Sequence, residues 1–317
     1  MYDNPFVYSD DNLRYHSYSY YLKHKYHHKT AKVPLDASFS CPNRDGSKGY
    51  GGCRFCSSSG SGDFVSDHTI GLMRQYDEGL KRMQAKWPDA LGIAYFQAYS
   101  NTYAPLDDLK EIYTPFFERE DIAEISIATR PDCLDAEKIA WFSEMQKKKP
   151  LTVEMGLQSI HEKTMEKMNR QHTSEELYET VAQLKQASIR TTLHIINGLP
   201  EESAEMMLET AEKVAGLKAD GIKIHMLNIL KSSALYQDYL KEPFSLLSRE
   251  EYVDIVVRQL ELLPPEMVIE RLTGDGMADE LVKPQWIVKK TVVLNEISKL
   301  QKKRNTYQGK YYAAKKH

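Results

Sequence analysis

The feature that most constrains this chain is a rhythm. Short apolar runs rich in β-branched and aromatic residues alternate with longer amphipathic stretches over most of the 317 residues. Strands are predicted at KVPLDAS from Lys32, LGIAYFQA from Leu91, IAEISIATR from Ile122, LTVEMGLQS from Leu151, RTTLHIING from Arg190 and GIKIHMLNI from Gly221, with a seventh at MVIERL from Met267. Helical patterns lie between them, such as SDHTIGLMRQYDEGLKRM, LDAEKIAWFSEM, TSEELYETVAQLKQ and SAEMMLETAEKVAGL. Thr173-Ser174-Glu175-Glu176 carries N-cap chemistry at the start of one of them. Six or more βα units with right-handed crossovers favour an α/β fold, a partial parallel (β/α)6 TIM-type barrel, with a doubly wound open sheet as the alternative. We read residues 1–31 as a basic, aromatic N-terminal extension, 32–247 as the barrel and 248–317 as a C-terminal helical extension with a basic tail.

In either parallel architecture chemistry belongs at the C-terminal ends of the strands, and a cysteine loop follows the first strand. Cys41, Cys53 and Cys56 are spaced C-x11-C-x2-C, with Gly46, Gly49, Gly51 and Gly52 letting the backbone turn closely between them. Three thiolates occupy three irons of a cubane and leave the fourth open, whereas structural zinc takes four protein ligands, for which Cys133 or His68 is available. Spacing alone leaves both readings standing. Four cysteines in a chain of this length do not form the disulfide framework of a small secreted domain. No apolar run reaches the roughly 20 residues of a membrane span, and the N-terminus lacks the order of a secretory signal, so a soluble, cytoplasmic protein is expected.

The formal net charge of -3 conceals two cationic ends. Asn12 to Leu35 holds Arg14, Lys23, Lys25, Lys29 and Lys32 with no acid, and Lys299 to His317 holds Lys302, Lys303, Arg304, Lys310, Lys315 and Lys316 among Tyr307, Tyr311 and Tyr312. Such ends either solubilise a protein or meet an anionic partner, RNA above all.

The segments LDASFSCPNRDG, GGCRFCSSSGSGDF, YFQAYSNTYAP, TRPDCL, VEMGLQSIHEKTMEKMNRQHT, HIINGLPEE and LTGDGMADELVKPQW together resemble the radical SAM (S-adenosylmethionine) superfamily. Within it the chain is similar to the YtqA/YhcC-type, MnmL-like branch related to the Elongator catalytic subunit and to oxygen-independent coproporphyrinogen oxidase. The resemblance implies a [4Fe-4S] cluster on Cys41, Cys53 and Cys56 whose open iron chelates SAM, and reductive cleavage of SAM to methionine and a 5′-deoxyadenosyl radical. It implies SAM contacts at Gln97, Ala98, Tyr99 and Ser100, where relatives carry a glycine-rich stretch, and at Gln158, Arg170 and His194. Ala128 stands where relatives often place a glutamate. It also implies an electron donor such as flavodoxin or ferredoxin and action on the tRNA wobble uridine, with a downstream tRNA methyltransferase as a possible further partner. A small-molecule or tetrapyrrole substrate is the alternative within enzymes, and a zinc-stabilised RNA-binding protein is the alternative outside them.

From the residues, Glu154, Gly156 and Gln158 share one face of the fourth strand. Glu154, Arg130 and Tyr99 are the candidates for the reacting end, each with a structural reading beside it: an ion pair of Glu154 with Arg190, of Arg130 with Asp132, and packing for Tyr99. Arg130 or Lys223 is the cation expected to hold a substrate carboxylate. His172, His194 and Cys133 are read as structural residues in the first instance.

Overall fold

A computed structural model describes residues 4–60, 69–274 and 279–312. His68 and the close of the GSGDF stretch, four residues of the LTGDGMADELVKPQW segment, and the tail lysines Lys315 and Lys316 lie outside the described residues.

Every predicted strand forms. The sheet runs in the order β1 (Thr30–Leu35), β2 (Leu91–Phe96), β3 (Ile122–Thr129), β4 (Leu151–Gln158), β5 (Arg190–Asn197), β6 (Gly221–Met226), β8 (Val268–Arg271), so that neighbours in sequence are neighbours in the sheet until the last strand. The first four strands pair in parallel, as do β6 and β8. A short β7 (Ile229–Leu230) pairs antiparallel with β9 (Leu281–Lys283). This is the α/β fold of the partial parallel (β/α)-barrel type. The strand that begins the sheet tolerates Pro34 because a margin needs no donor on its outer side.

The chain divides into two compact units. The first comprises residues 22–156 and 170–192 and includes α1 (Tyr18–Tyr26) from Leu22 onward, α2 (Leu72–Gln84), α3 (Leu106–Glu118), α4 (Ala136–Met145) and α6 (Ser174–Gln186). Asp135 caps α4, and Thr173 with Glu176 closes a full capping box on α6, as the sequence signals indicate. The strand and helix faces bury aromatic side chains edge to face, with Phe96 and Tyr113 4.7 Å apart and Phe96 and Phe116 5.1 Å apart. The period of two places Ile125 and Ile127 of β3 and Val153 and Met155 of β4 on one face. Glu124, Ser126, Thr152 and Glu154, all buried, occupy the other.

The second unit comprises residues 4–21, 157–169 and 193–312 of the described chain. It holds α5 (Glu162–Lys167), α7 (Ala204–Leu217), α8 (Ala234–Lys241), α9 (Arg249–Leu262) and α10 (Lys290–Lys303). Asn197 and Gln259 exchange two buried amide hydrogen bonds of 2.8 and 2.9 Å, which leaves neither amide an orphan donor. The two chain ends interlock here. Arg14 donates to Asn305 Oδ1 at 3.0 Å, the His16 amide donates to Gln308 Oε1 at 2.8 Å, and the Ile269 amide of β8 donates to the His16 carbonyl at 2.8 Å. Arg14, counted among the cations of a basic arm, is buried and serves this joint.

Candidate active site: the cysteine loop

β1 delivers the chain into the cysteine loop at its C-terminal end, where parallel folds keep their sites. The loop is tied by its own backbone. The Arg44 amide donates to the Cys41 carbonyl at 2.8 Å, that of Lys48 to Pro42 at 2.8 Å, that of Gly52 to Asn43 at 2.8 Å and that of Cys56 to Cys53 at 3.0 Å. Cys41, Cys53 and Cys56 are free, partly buried thiols.

The segment after β2 is stitched onto this loop. The Tyr99 amide donates to the Gly60 carbonyl at 2.9 Å, the Tyr99 hydroxyl donates to the Ser58 carbonyl at 2.8 Å, and the Ser100 amide reaches the Ser40 carbonyl at 3.3 Å. Tyr99 adopts a left-handed backbone (φ 59°), with the Arg44 guanidinium 5.3 Å from its ring centroid. Gly60 must be glycine, because a Cβ there would lie 2.3 Å from the Tyr99 ring. Tyr99 and Ser100 thus meet the cysteine loop, whereas the Gln97 amide donates to the Leu35 carbonyl of β1 at 3.2 Å and the Ala98 carbonyl accepts from Asn101 at 3.0 Å.

Cations gather on the same loop. Arg130, at the end of β3, grips Asp132 with two bonds of 2.9 Å and sends a third donor 2.8 Å to the Arg170 carbonyl. Lys48 reaches Asp132 at 3.1 Å and Glu176 at 3.5 Å, pinning the loop to both β3 and α6. Although burial opposes it, hydrogen bonding and charge from Arg130, with Lys48 adding to them, hold the Asp132 carboxyl below its ordinary value. Arg170 is fully buried and donates to the His172 carbonyl at 2.8 Å and the Ser174 hydroxyl at 3.2 Å. Burial and the charges of Arg170 and Arg130 push His172 down to about 3, so it is a neutral structural imidazole.

Cys53 and Cys56 share one proton: the hydrogen bond from Cys56, with the nearby charges of Arg130 and Arg170 and a contact from Asn43, outweighs burial and brings the Cys53 thiol down to about 7, while the same bond and burial push the Cys56 thiol well up. Cys133 behaves oppositely to Cys53, because burial and Asp132 push its thiol up to about 12, which disfavours it as a fourth ligand. Among the described residues no group of three or more His, Cys, Asp or Glu side chains is arranged to hold a single metal ion. Ligands of a cubane sit on separate irons and need not converge on one point. Three thiols in a glycine-bearing loop beside buried cations fit a cluster with one open corner.

Glu154 lies one strand over from Ala128, in register with it. It accepts from Lys32 at 2.5 Å, the Ser126 hydroxyl at 2.7 Å and the Tyr95 hydroxyl at 3.1 Å. Lys32 is a salt-bridge partner of Glu154, and Arg190 donates to Thr152 at 3.3 Å and to Thr192 at 3.1 Å. Nothing in the sequence pattern singled out Lys32, Lys48 or Asn43, because each acts through a contact distant in sequence. In the other unit, Gln158 ends β4 with a left-handed backbone (φ 59°), the His194 ring lies tilted by 39° with its centroid 5.3 Å from that of His225, and Lys223 is buried on β6.

An α/β sheet of this order with three cysteines after its first strand defines a cluster-bearing barrel enzyme. Residues 41–214 match the Radical SAM superfamily and residues 219–303 the Radical_SAM C-terminal domain, and the chain belongs to the radical SAM superfamily. It is a radical SAM enzyme, and its cofactors are a [4Fe-4S] cluster and SAM. It is 45% identical to YtqA of Bacillus subtilis (strain 168) over 312 residues, 98% of this chain and 97% of that protein. It is 30% identical to YhcC of Escherichia coli (strain K12) over 267 residues, 84% and 85% of the two chains. A tRNA uridine(34) acetyltransferase of Methanocaldococcus jannaschii shares 25% identity over 161 residues, 50% of this chain and 29% of that protein. The solved structure of Elp3 from the archaeon Methanocaldococcus infernus, lacking its N-terminus, matches the fold with a TM-score of 0.66 at 16% identity, over 89% of this chain and 64% of that one. No helix among the described residues is long and apolar enough to cross a membrane.

Proposed function

We propose that this radical SAM enzyme acts on the wobble uridine of tRNA in the cytoplasm, converting the carboxymethylaminomethyl side chain, with or without the 2-thio group, to aminomethyl. The observation that carries the reading is the likeness over half the chain to a protein named for uridine 34 of tRNA. When bound, the cluster and SAM would supply a two-electron oxidation of the side-chain methylene, with SAM as the net oxidant reduced to methionine and 5′-deoxyadenosine, and hydrolysis of the oxidised carbon–nitrogen bond would give glyoxylate and the primary amine.

The chain's own residues bind and orient. Arg130 has its fork filled by Asp132, which leaves the substrate carboxylate to Lys223. In this reading Gln97, Ala98, Tyr99, Ser100, Gln158, Arg170 and His194 hold SAM, while Glu154, Arg130 and Tyr99 order the reacting end. The exposed Lys29 and Lys86 lie 4.6 Å from the centroid of the Trp87 ring, cations and an aromatic face of the kind that meets phosphates and unstacked bases. A flavodoxin or ferredoxin delivers the electron, and a tRNA methyltransferase acts on the amine.

Mass analysis of wobble nucleosides from cells lacking the protein tests this. Carboxymethylaminomethyl-uridine accumulates and aminomethyl derivatives fall if the reading holds; an unchanged nucleoside profile removes the tRNA substrate and leaves the radical SAM chemistry standing.

A further inference from the structure

The x11 spacing between the first two cysteines contains an asparagine that nothing above employs. Asn43 is completely buried, two residues past Cys41. Its side-chain amide donates toward Cys53 Sγ at 3.6 Å, within the reach of an N–H···S contact, and toward the Arg170 carbonyl at 3.5 Å. That carbonyl is the same one that accepts from Arg130 at 2.8 Å, and the Asn43 carbonyl accepts the Gly52 amide at 2.8 Å. The amide is therefore held between a cysteine sulfur and a backbone oxygen that Arg130 also holds.

Gly49 sets the same side chain from behind. A Cβ at Gly49 would lie 2.4 Å from Asn43 Oδ1, so any larger residue displaces the amide. An internal amide that spends a donor on sulfur, in a place where a backbone acceptor is also within reach, is positioned for the sulfur's electronic state.

We propose that Asn43 is a positioning residue that tunes the cluster through the Cys53 corner. A donor to a ligating sulfur stabilises the reduced cluster, which carries the greater negative charge, and so raises its reduction potential. The inference goes beyond the tRNA reading and is independent of it, since it rests only on the family's cluster and on this loop.

The test uses the full chain, reconstituted anaerobically, with iron and sulfide counted and the cluster titrated against reductant by electron paramagnetic resonance in the absence of substrate. Asn43→Leu keeps the volume and removes the donor. Gly49→Ala keeps the donor and pushes it aside. Both variants are expected to hold the same iron as wild type and to titrate at a more negative potential. The ratio of reduced to oxidised cluster at a fixed potential is expected to fall about threefold to tenfold, the scale of one ordinary hydrogen bond. A wild-type potential in Asn43→Leu at equal iron content overturns the proposal. Should Asn43→Leu take up no iron, a wild-type potential in Gly49→Ala overturns it equally.

Discussion

Two regions of the same unit bury charge, and they do so in opposite ways. On the inner faces of β3 and β4, each acid has a lysine of the chain: Glu154 has Lys32 at 2.5 Å and Glu124 has Lys25 at 3.0 Å, with Tyr26 and Thr152 completing the second site. At the cysteine loop the buried charges are guanidinium groups: Arg130 is matched by Asp132, and Arg170, fully buried, donates to the His172 carbonyl and the Ser174 hydroxyl. Burying a charge is tolerable only when it is paired or solvated by dipoles. The strand interior surrounds carboxylates with lysines and hydroxyls, whereas the loop sets the positive charges of Arg130 and Arg170 near Cys53.

That contrast can be broken most sharply at the loop. Replacing Cys41, Cys53 or Cys56 singly by Ala is expected to abolish both cluster iron and 5′-deoxyadenosine formation while leaving the circular dichroism of the fold in place. Iron content and SAM cleavage at wild-type levels in any of the three would make the loop merely structural. In the strand interior the largest cost falls on folding instead. Lys32→Met leaves Glu154 buried without its cation and is expected to destabilise the protein by about 3–5 kcal/mol, a fall in melting temperature on the order of 10 °C. The double variant Lys32→Met/Glu154→Gln should recover much of this, and equal losses in single and double variants would show that the pair is not the cause.

A pH experiment sharpens the electrostatics of the loop. His172 is pushed from an ordinary value of 6.5 to about 3, so between those values the unfolded chain binds a proton that the folded chain refuses. Stability is therefore fully present above pH 6.5 and falls as pH drops toward 3, at up to about 1.4 kcal/mol per pH unit. Denaturant midpoints across that window should show the slope in wild type and a shallower one in His172→Gln. The smallest effect belongs to Lys48, which is two-fifths exposed and leaves Asp132 still gripped by Arg130 when removed. Lys48→Met should cost less than about 1 kcal/mol and speed cluster iron release to a chelator by no more than about fivefold. A larger acceleration would mean that the loop hangs on this one lysine.

Much of the fold is legible along the chain because it is local. The apolar period of two or 3.6, the caps at Asp135 and Thr173, and the order of the strands all follow from residues within a few positions of one another. The cysteine triad is legible for the same reason, since a C-x2-C pair and a glycine-bearing loop are features of one short segment. The identity of each partner was not. The alternation on β4 says which face Glu154 occupies but not that Lys32, 122 residues away in sequence, will meet it. Likewise Arg14 reads as one more cation of a basic arm until the chain ends interlock and it proves to be bound to Asn305. By itself the sequence determined the sheet, the place of the loop and the three cysteines gathered on it. Only the tertiary structure decided which charges cancel and which face the sulfur, because pairing between strands brings together residues whose separation along the chain carries no periodic signal.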